Sequence, residues 1–237
     1  MIESLVSPEL RARVRAMALP IALAFGRMGL SPNALTVLGL GISVAAGLAA
    51  GFGAWIAAGL LVIFGGVFDL FDGALARATN RVSRLGAFLD SVFDRAGEAA
   101  IYVGVIAASQ AAGFTAGTIL GAGAMAASFM VSYTRAKSES LGFTPGTKMA
   151  NVGIAPREVR MVIVTVGLIL TGISGGIVRP LTFVGAVDPW WAGRPALAIA
   201  LGLVTVLATI TTIQRIVHVT RQAPPEEPGH PEGDQHP

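Results

Sequence analysis

Six apolar runs dominate this sequence, at about 33–50, 54–72, 85–108, 115–133, 159–178 and 195–217. Each is long enough for a helix to cross a hydrocarbon layer of about 30 Å. Inside lipid the backbone must satisfy its own polar groups, so an open chain of such runs can only be helical. Composition agrees. Of 237 residues, 53% are hydrophobic and 13% are charged, with a mean hydropathy of +0.68. A soluble domain carries about 25% charge. The 30 glycines suit close packing of helices in a bilayer. The predicted fold class is therefore all-α: a polytopic membrane protein with six transmembrane helices in one domain over residues 1–221. Cysteine is absent, which excludes disulfides, thiol catalysis and cysteine-ligated metal. The Pro-rich, acidic tail at 222–237 is expected to be disordered.

The ends of the runs add detail. Residues 8–28 set Arg11, Arg13, Arg15 and Arg27 among Leu10, Val14, Leu19, Ile21 and Phe25. This predicts an amphipathic helix lying in the membrane interface and broken near Pro20. A plain basic flank of the first span is the alternative reading. The start MIESLVSPELRARVRAM lacks the apolar core and cleavage site of a signal peptide. Ser31 suits an N-cap and Pro32 the first helical turn. All but two of the 17 lysines and arginines flank one side of the predicted bundle; Arg179 and Arg194 lie on the other. The positive-inside rule makes that side cytoplasmic, with both termini there, in a cell membrane. It also explains the charge of +3 and pI of 9.9 without nucleic-acid binding. Trp190 and Trp191 fit an aromatic belt at the opposite face.

Against this background, DLFDGALARATNRVSRLGAFLDSVFD at 69–94 is anomalous, because it puts four carboxylates in or beside membrane-spanning chain. Asp69 and Asp72 are three apart on a helix, about 60° around the axis; Asp90 and Asp94 are four apart, about 40°. Each pair therefore shares one face. A short polar link makes the two helices antiparallel, so the pairs can face each other. Four anions in one volume repel, and burial adds a desolvation cost. Protonation, pairing with Arg77, Arg81, Arg84 or Arg95, or a hard cation each relieves this. Oxygen ligands without histidine or cysteine suit Mg²⁺, Mn²⁺ or Ca²⁺. Gly73, Ala76 and Gly86 leave gaps, and Arg77 offers a forked donor for phosphate. Together these suggest a pyrophosphate ligand.

The segment resembles the signature of the CDP-alcohol phosphotransferase family. All eight fixed positions are present: Asp69, Asp72, Gly73, Ala76, Arg77, Gly86, Asp90 and Asp94. SPNALT at 31–36 is similar to the opening of that family's first helix. The resemblance covers about residues 8–221. It implies an enzyme that displaces CMP from a CDP-linked lipid with an alcohol hydroxyl, using Mg²⁺ or Mn²⁺, in a pair of ions. By the same resemblance Asp69, Asp72, Asp90 and Asp94 bind metal, and Asp94 is the general base. Asp72, Gly73, Ala76, Arg77 and Gly86 form the CDP-lipid site. CDP-diacylglycerol, a water-soluble phosphorylated alcohol and membrane lipids are then the partners, and a homodimer is expected.

A second basic group bears on the acceptor. Arg135, Lys137, Arg157, Arg160 and Arg215 all map to the cytoplasmic side, with Arg157 and Arg160 on one helical face. Such a cluster binds phosphate through forked hydrogen bonds; ordinary positive-inside charge is the bland alternative. SYTRAKSE and REVRM resemble stretches of the phosphatidylinositol-phosphate synthases. That resemblance implies inositol 1-phosphate as acceptor and these five residues as its phosphate site. Departures are the exchange of Arg and Lys at 135 and 137, a missing proline before Glu158, and Asn80 where many relatives have glycine. Glycerol 3-phosphate and an archaeal-type lipid donor stay open as alternatives. A cation-coupled transporter fits less well, since the acids lie near one face and no duplicated halves are visible. Glu98, one turn beyond Asp94, is expected to be structural, with Tyr102 as a partner.

Overall fold

The computed structural model describes residues 8–143, 149, 152–178 and 192–222, with side chains from residue 17 onward. Seven helices are present among them: α1 (Pro8–Arg27), α2 (Pro32–Gly51), α3 (Trp55–Ala78), α4 (Arg84–Ala111), α5 (Thr115–Ser140), α6 (Arg157–Ile173) and α7 (Gly193–Thr220). Arg11, Arg13 and Arg15 of the predicted interfacial face, Trp190 and Trp191, and the tail beyond residue 222 lie outside the described side chains.

The all-α expectation holds. α2, α3, α5 and α7 are long and apolar enough to cross a membrane. α4 carries Asp90, Asp94, Arg95 and Glu98, and α6 has only 17 residues. Ser31 caps α2, its hydroxyl accepting from Ala34 N at 3.2 Å, and Pro32 follows as the first helical residue. α3 outruns its expected end at 72 and ends at Ala78, and Asn80 just beyond it has a φ of 52°, in the left-handed region. Asparagine tolerates that conformation where most side chains do not, so it stands in for glycine. The Arg81 amide closes the turn on Ala76 O at 2.9 Å. Ser83 then caps α4 through Gly86 N at 3.0 Å.

α1 corrects one expectation. It runs unbroken through Pro20. Ala18 and Ala22 are buried, and they pack with Phe25 against Leu35, Phe71, Ala74 and Leu75. Phe25, Phe68 and Phe71 form a triangle with centroids 5.7–5.8 Å apart. This packing on α3 outweighs the backbone bond that proline removes.

α2 packs on α3 and α4, α5 on α4 and α7, and α6 on α3 and α7. Lipid tails are as apolar as the helices, so contact must come from close fit rather than hydrophobic exclusion. Gly47 and Gly104 supply it. A Cβ on either would overlap backbone of the facing helix, so α2 and α4 cross at glycine distance. One core, including Ala46, Ala58, Tyr102, Val105, Leu168, Leu201 and Val204, joins α2 to α7. Arg194, at the start of α7, donates to Ile177 O at 3.0 Å and Ala112 O at 2.7 Å and lies over the Phe114 ring.

Candidate active site

α3 and α4 bring the two aspartate pairs together, and α6 closes the group with its first residue. Arg157 Nη1 donates to Asp69 Oδ2 at 2.9 Å and lies 2.8 Å from Asp94 Oδ1. One nitrogen thus bridges carboxylates from two helices. Asp94 Oδ2 takes a second contact from Arg95 Nη1 at 3.2 Å, and Arg95 also donates to Ser91 O. Asp72 is 6% exposed and accepts from the Thr36 hydroxyl at 2.7 Å. Asp90 is half-buried and has no hydrogen bond among the described residues. Asp90 and Asp69 lie within electrostatic reach of both Asp72 and Asp94.

Small residues make this approach possible. A Cβ on Gly39 of α2 would come within 3.2 Å of Asp69 Oδ1. A Cβ on Gly97 would meet Ser43 at 2.8 Å, so α2 lies close along the aspartate face of α4. Gly73 is overlain by its own Arg77, whose Nη1 would be 3.2 Å from an added Cβ. Arg77 is exposed, and among the described residues no acid pairs with it. Gly86 faces Asn33 Oδ1, 3.4 Å from where a Cβ would sit. Gly73, Ala76 and Arg77 lie on the last turns of α3, and Gly86 on the first turn of α4.

Among the described residues no three acids close on one point as a finished metal cage. Two local contacts account for this. Arg157 draws Asp69 and Asp94 onto itself, and Thr36 holds Asp72. The donor set nevertheless fits a hard divalent cation. Four carboxylates, all oxygen donors, face two guanidiniums, Arg95 and Arg157, which leaves a formal charge of −4 + 2 = −2 with every group ionised. Asp69 and Asp94 already converge on one cationic atom.

The residues expected at the acceptor phosphate take different partners. Arg157 is at the carboxylates. Arg135 pairs with Glu139 at 2.9 Å, and Lys137 is exposed near the end of α5. Arg160 turns inward: it is 0% exposed, forks onto Glu98 at 3.1 and 3.0 Å, and donates to Ala155 O. Arg215 is also buried, donating from Nε to Val152 O at 3.0 Å and from Nη1 to Val131 O. A buried guanidinium must fill its donors from what surrounds it, and these two face protein acceptors. Tyr102 lies within electrostatic reach of Glu98 as expected, but its hydrogen bond is to Ser128 at 3.2 Å. Thr36 was missed as a site residue, and the pairing of Glu98 with Arg160 was not foreseen. The signal for the pair was an intramembrane acid, which requires a partner.

Comparison with known proteins decides the family. Residues 29–219 match the CDP-alcohol phosphatidyltransferase family. The chain belongs to the CDP-alcohol phosphatidyltransferase family. It is therefore a transferase and a membrane protein. The phosphatidylinositol phosphate synthase of Cutibacterium acnes is 35% identical over 204 residues, covering 85% of this chain and 91% of that protein. The archaetidylinositol phosphate synthase of Pyrococcus horikoshii is 30% identical, covering 71% and 85%. Among solved structures, the Mycobacterium tuberculosis phosphatidylinositol phosphate synthase with CDP-DAG bound aligns with a TM-score of 0.70 at 30% identity, over 86% of this chain and 94% of that one. The same enzyme in complex with manganese and citrate aligns at 0.69 and 29% identity, over 86% and 88%.

Proposed function

We propose that this phosphatidyltransferase moves the phosphatidyl group of CDP-diacylglycerol to a hydroxyl of inositol 1-phosphate and releases CMP. The observation that carries this reading is the convergence of Asp69 of α3 and Asp94 of α4 on Arg157. Relatives named for phosphatidylinositol phosphate and for archaetidylinositol phosphate differ in the lipid and agree in the inositol phosphate. That pattern supports the acceptor more strongly than the lipid tail.

In the reaction the acceptor oxygen bonds to the phosphatidyl phosphorus, the pyrophosphate P–O bond breaks, and CMP leaves with the electron pair. Asp94 takes the hydroxyl proton as general base. Asp69, Asp72, Asp90 and Asp94 would hold divalent metal, Mg²⁺ or Mn²⁺. When bound, the metal neutralises the pyrophosphate and stabilises the departing CMP. Arg77 binds the donor's phosphates by its fork, and the glycines let the nucleotide lie against helix backbone. Arg157, Arg135 and Lys137 take the acceptor phosphate. Arg215 stands behind them and, with Arg160, braces the basic end of the bundle.

The finer topology belongs to the same reading. α4 spans because its acids face the bundle, and α6 spans because 17 residues make roughly 25 Å of helix. Both termini and the site face the cytoplasm, where the soluble acceptor is. Two copies form a homodimer, which light scattering of the detergent-solubilised protein checks.

The test is CMP release by purified protein given CDP-diacylglycerol, Mg²⁺ and one acceptor at a time. Inositol 1-phosphate is expected to support turnover. Turnover with glycerol 3-phosphate alone would overturn the acceptor. Asp94→Asn is expected to cut turnover by about 10²–10⁴-fold while the protein stays folded; full activity would remove Asp94 as base.

A further inference from the structure

The Arg157 contacts have a consequence for how the site fills. Its Nη1 touches Asp69 Oδ2 and Asp94 Oδ1 together, and these belong to the expected metal ligands. Its Nε is buried and has no hydrogen-bond partner among the described residues. A buried donor without an acceptor is costly, so this pose does not satisfy the whole side chain. The cleft bounded by Thr36, Ser43, Asp69, Asp94 and Arg157 encloses only about 10 Å³. That is room for about one water. A magnesium-type ion keeps several waters and does not fit beside the guanidinium.

Arg157 is the first residue of α6 and follows Pro156, so its side chain can swing without moving the helix. Arg135 and Arg157 both lie within electrostatic reach of Arg95. A guanidinium leaving the carboxylates therefore stays in basic surroundings, where an anion is favoured.

We infer that Arg157 is a latch between the two halves of the site. Either its guanidinium or a divalent cation holds the Asp69 and Asp94 oxygens, not both. An acceptor phosphate draws the guanidinium away through Nε and Nη in a fork, and so opens those oxygens to the cation. Cation and acceptor then promote each other's binding, and the coupling is reciprocal. This rests on the function proposed above and adds an order to it: the carboxylates are exchanged, not simply occupied. Arg157 is a positioning residue for the cation as well as a contact for the acceptor.

The test measures Mn²⁺ binding, not turnover, on the full chain in detergent or nanodiscs, with free Mn²⁺ followed by electron paramagnetic resonance. Titrations are run alone, with inositol and with inositol 1-phosphate, each corrected for protein-free mixtures. For the unmodified protein, inositol 1-phosphate is expected to tighten Mn²⁺ binding about fivefold or more, and inositol is not. Arg157→Gln is expected to bind Mn²⁺ more tightly without any addition and to lose the response. Arg157→Lys keeps the competing charge and is expected to bind less tightly than Arg157→Gln. The latch is overturned if Arg157→Gln keeps the full response, or if Gln and Lys variants bind alike. Asp69→Asn separates the two levels. Mn²⁺ binding that depends on Asp69 but ignores Arg157 sinks the latch alone, whereas binding indifferent to Asp69 sinks the metal site with it.

Discussion

Asp72 is the most buried of the four signature aspartates, and its hydrogen bond comes from a hydroxyl 36 positions earlier in the chain. Thr36 also donates toward Pro32 O at 3.1 Å, so its oxygen is fixed by its own helix while it reaches α3. A partner that orients a metal-binding carboxylate is worth about 10–100-fold in metal affinity. Thr36→Val is expected to raise the Mg²⁺ concentration for half-maximal CMP release by about tenfold. Thr36→Ser should restore most of it, and an unchanged Mg²⁺ titration in the valine variant would count against the role. The aspartates themselves were legible from spacing alone, because three- and four-residue intervals put each pair on one helical face. Thr36 was visible only as part of a helix-opening motif. Its distance in sequence from Asp72 carries no periodicity that points across to another helix.

At the scale of elements, α4 and α6 run in the same direction, joined at successive turns. Asp94 meets Arg157, and one turn deeper Glu98 meets Arg160. Glu98 is 2% exposed and Arg160 0%, so neither has water to fall back on. The pair fixes the register of α6 against α4 and hence the place of Arg157. Arg160→Met leaves the Glu98 carboxylate buried and unpaired, which is expected to cost about 3–5 kcal/mol. Glu98→Leu combined with Arg160→Met removes both charges and should regain much of that, as judged by thermal unfolding in detergent. If the single and double variants unfold together, the pair does not act as a unit. The sequence suggested phosphate binding for Arg160 because it shares a helical face with Arg157. Three residues of separation also carry it a turn deeper into the bundle, and depth is what a one-dimensional pattern does not express.

For the molecule as a whole, four of the described helices are long and apolar enough to cross a membrane on their own, and α4 and α6 are not among them. A charged α4 would be tolerable in lipid only with its acids turned inward, and Gly47 and Gly104 let α2 cover it. Reporter fusions after residues 80, 113, 143 and 222 are expected to place the first, third and fourth on the cytoplasmic side and the second outside. A reporter after residue 113 found in the cytoplasm would mean that α4 does not span. The sequence by itself determined the helical class, the starts of the helices, the membrane setting and the family signature. These follow from local chemistry: apolar run length, caps, and carboxylates at helical intervals. Tertiary structure alone decided which cation meets which carboxylate: Arg95 and Arg157 reach the aspartates, and Arg160 reaches Glu98. Their distribution depends on how deeply each α-carbon sits once the helices have packed.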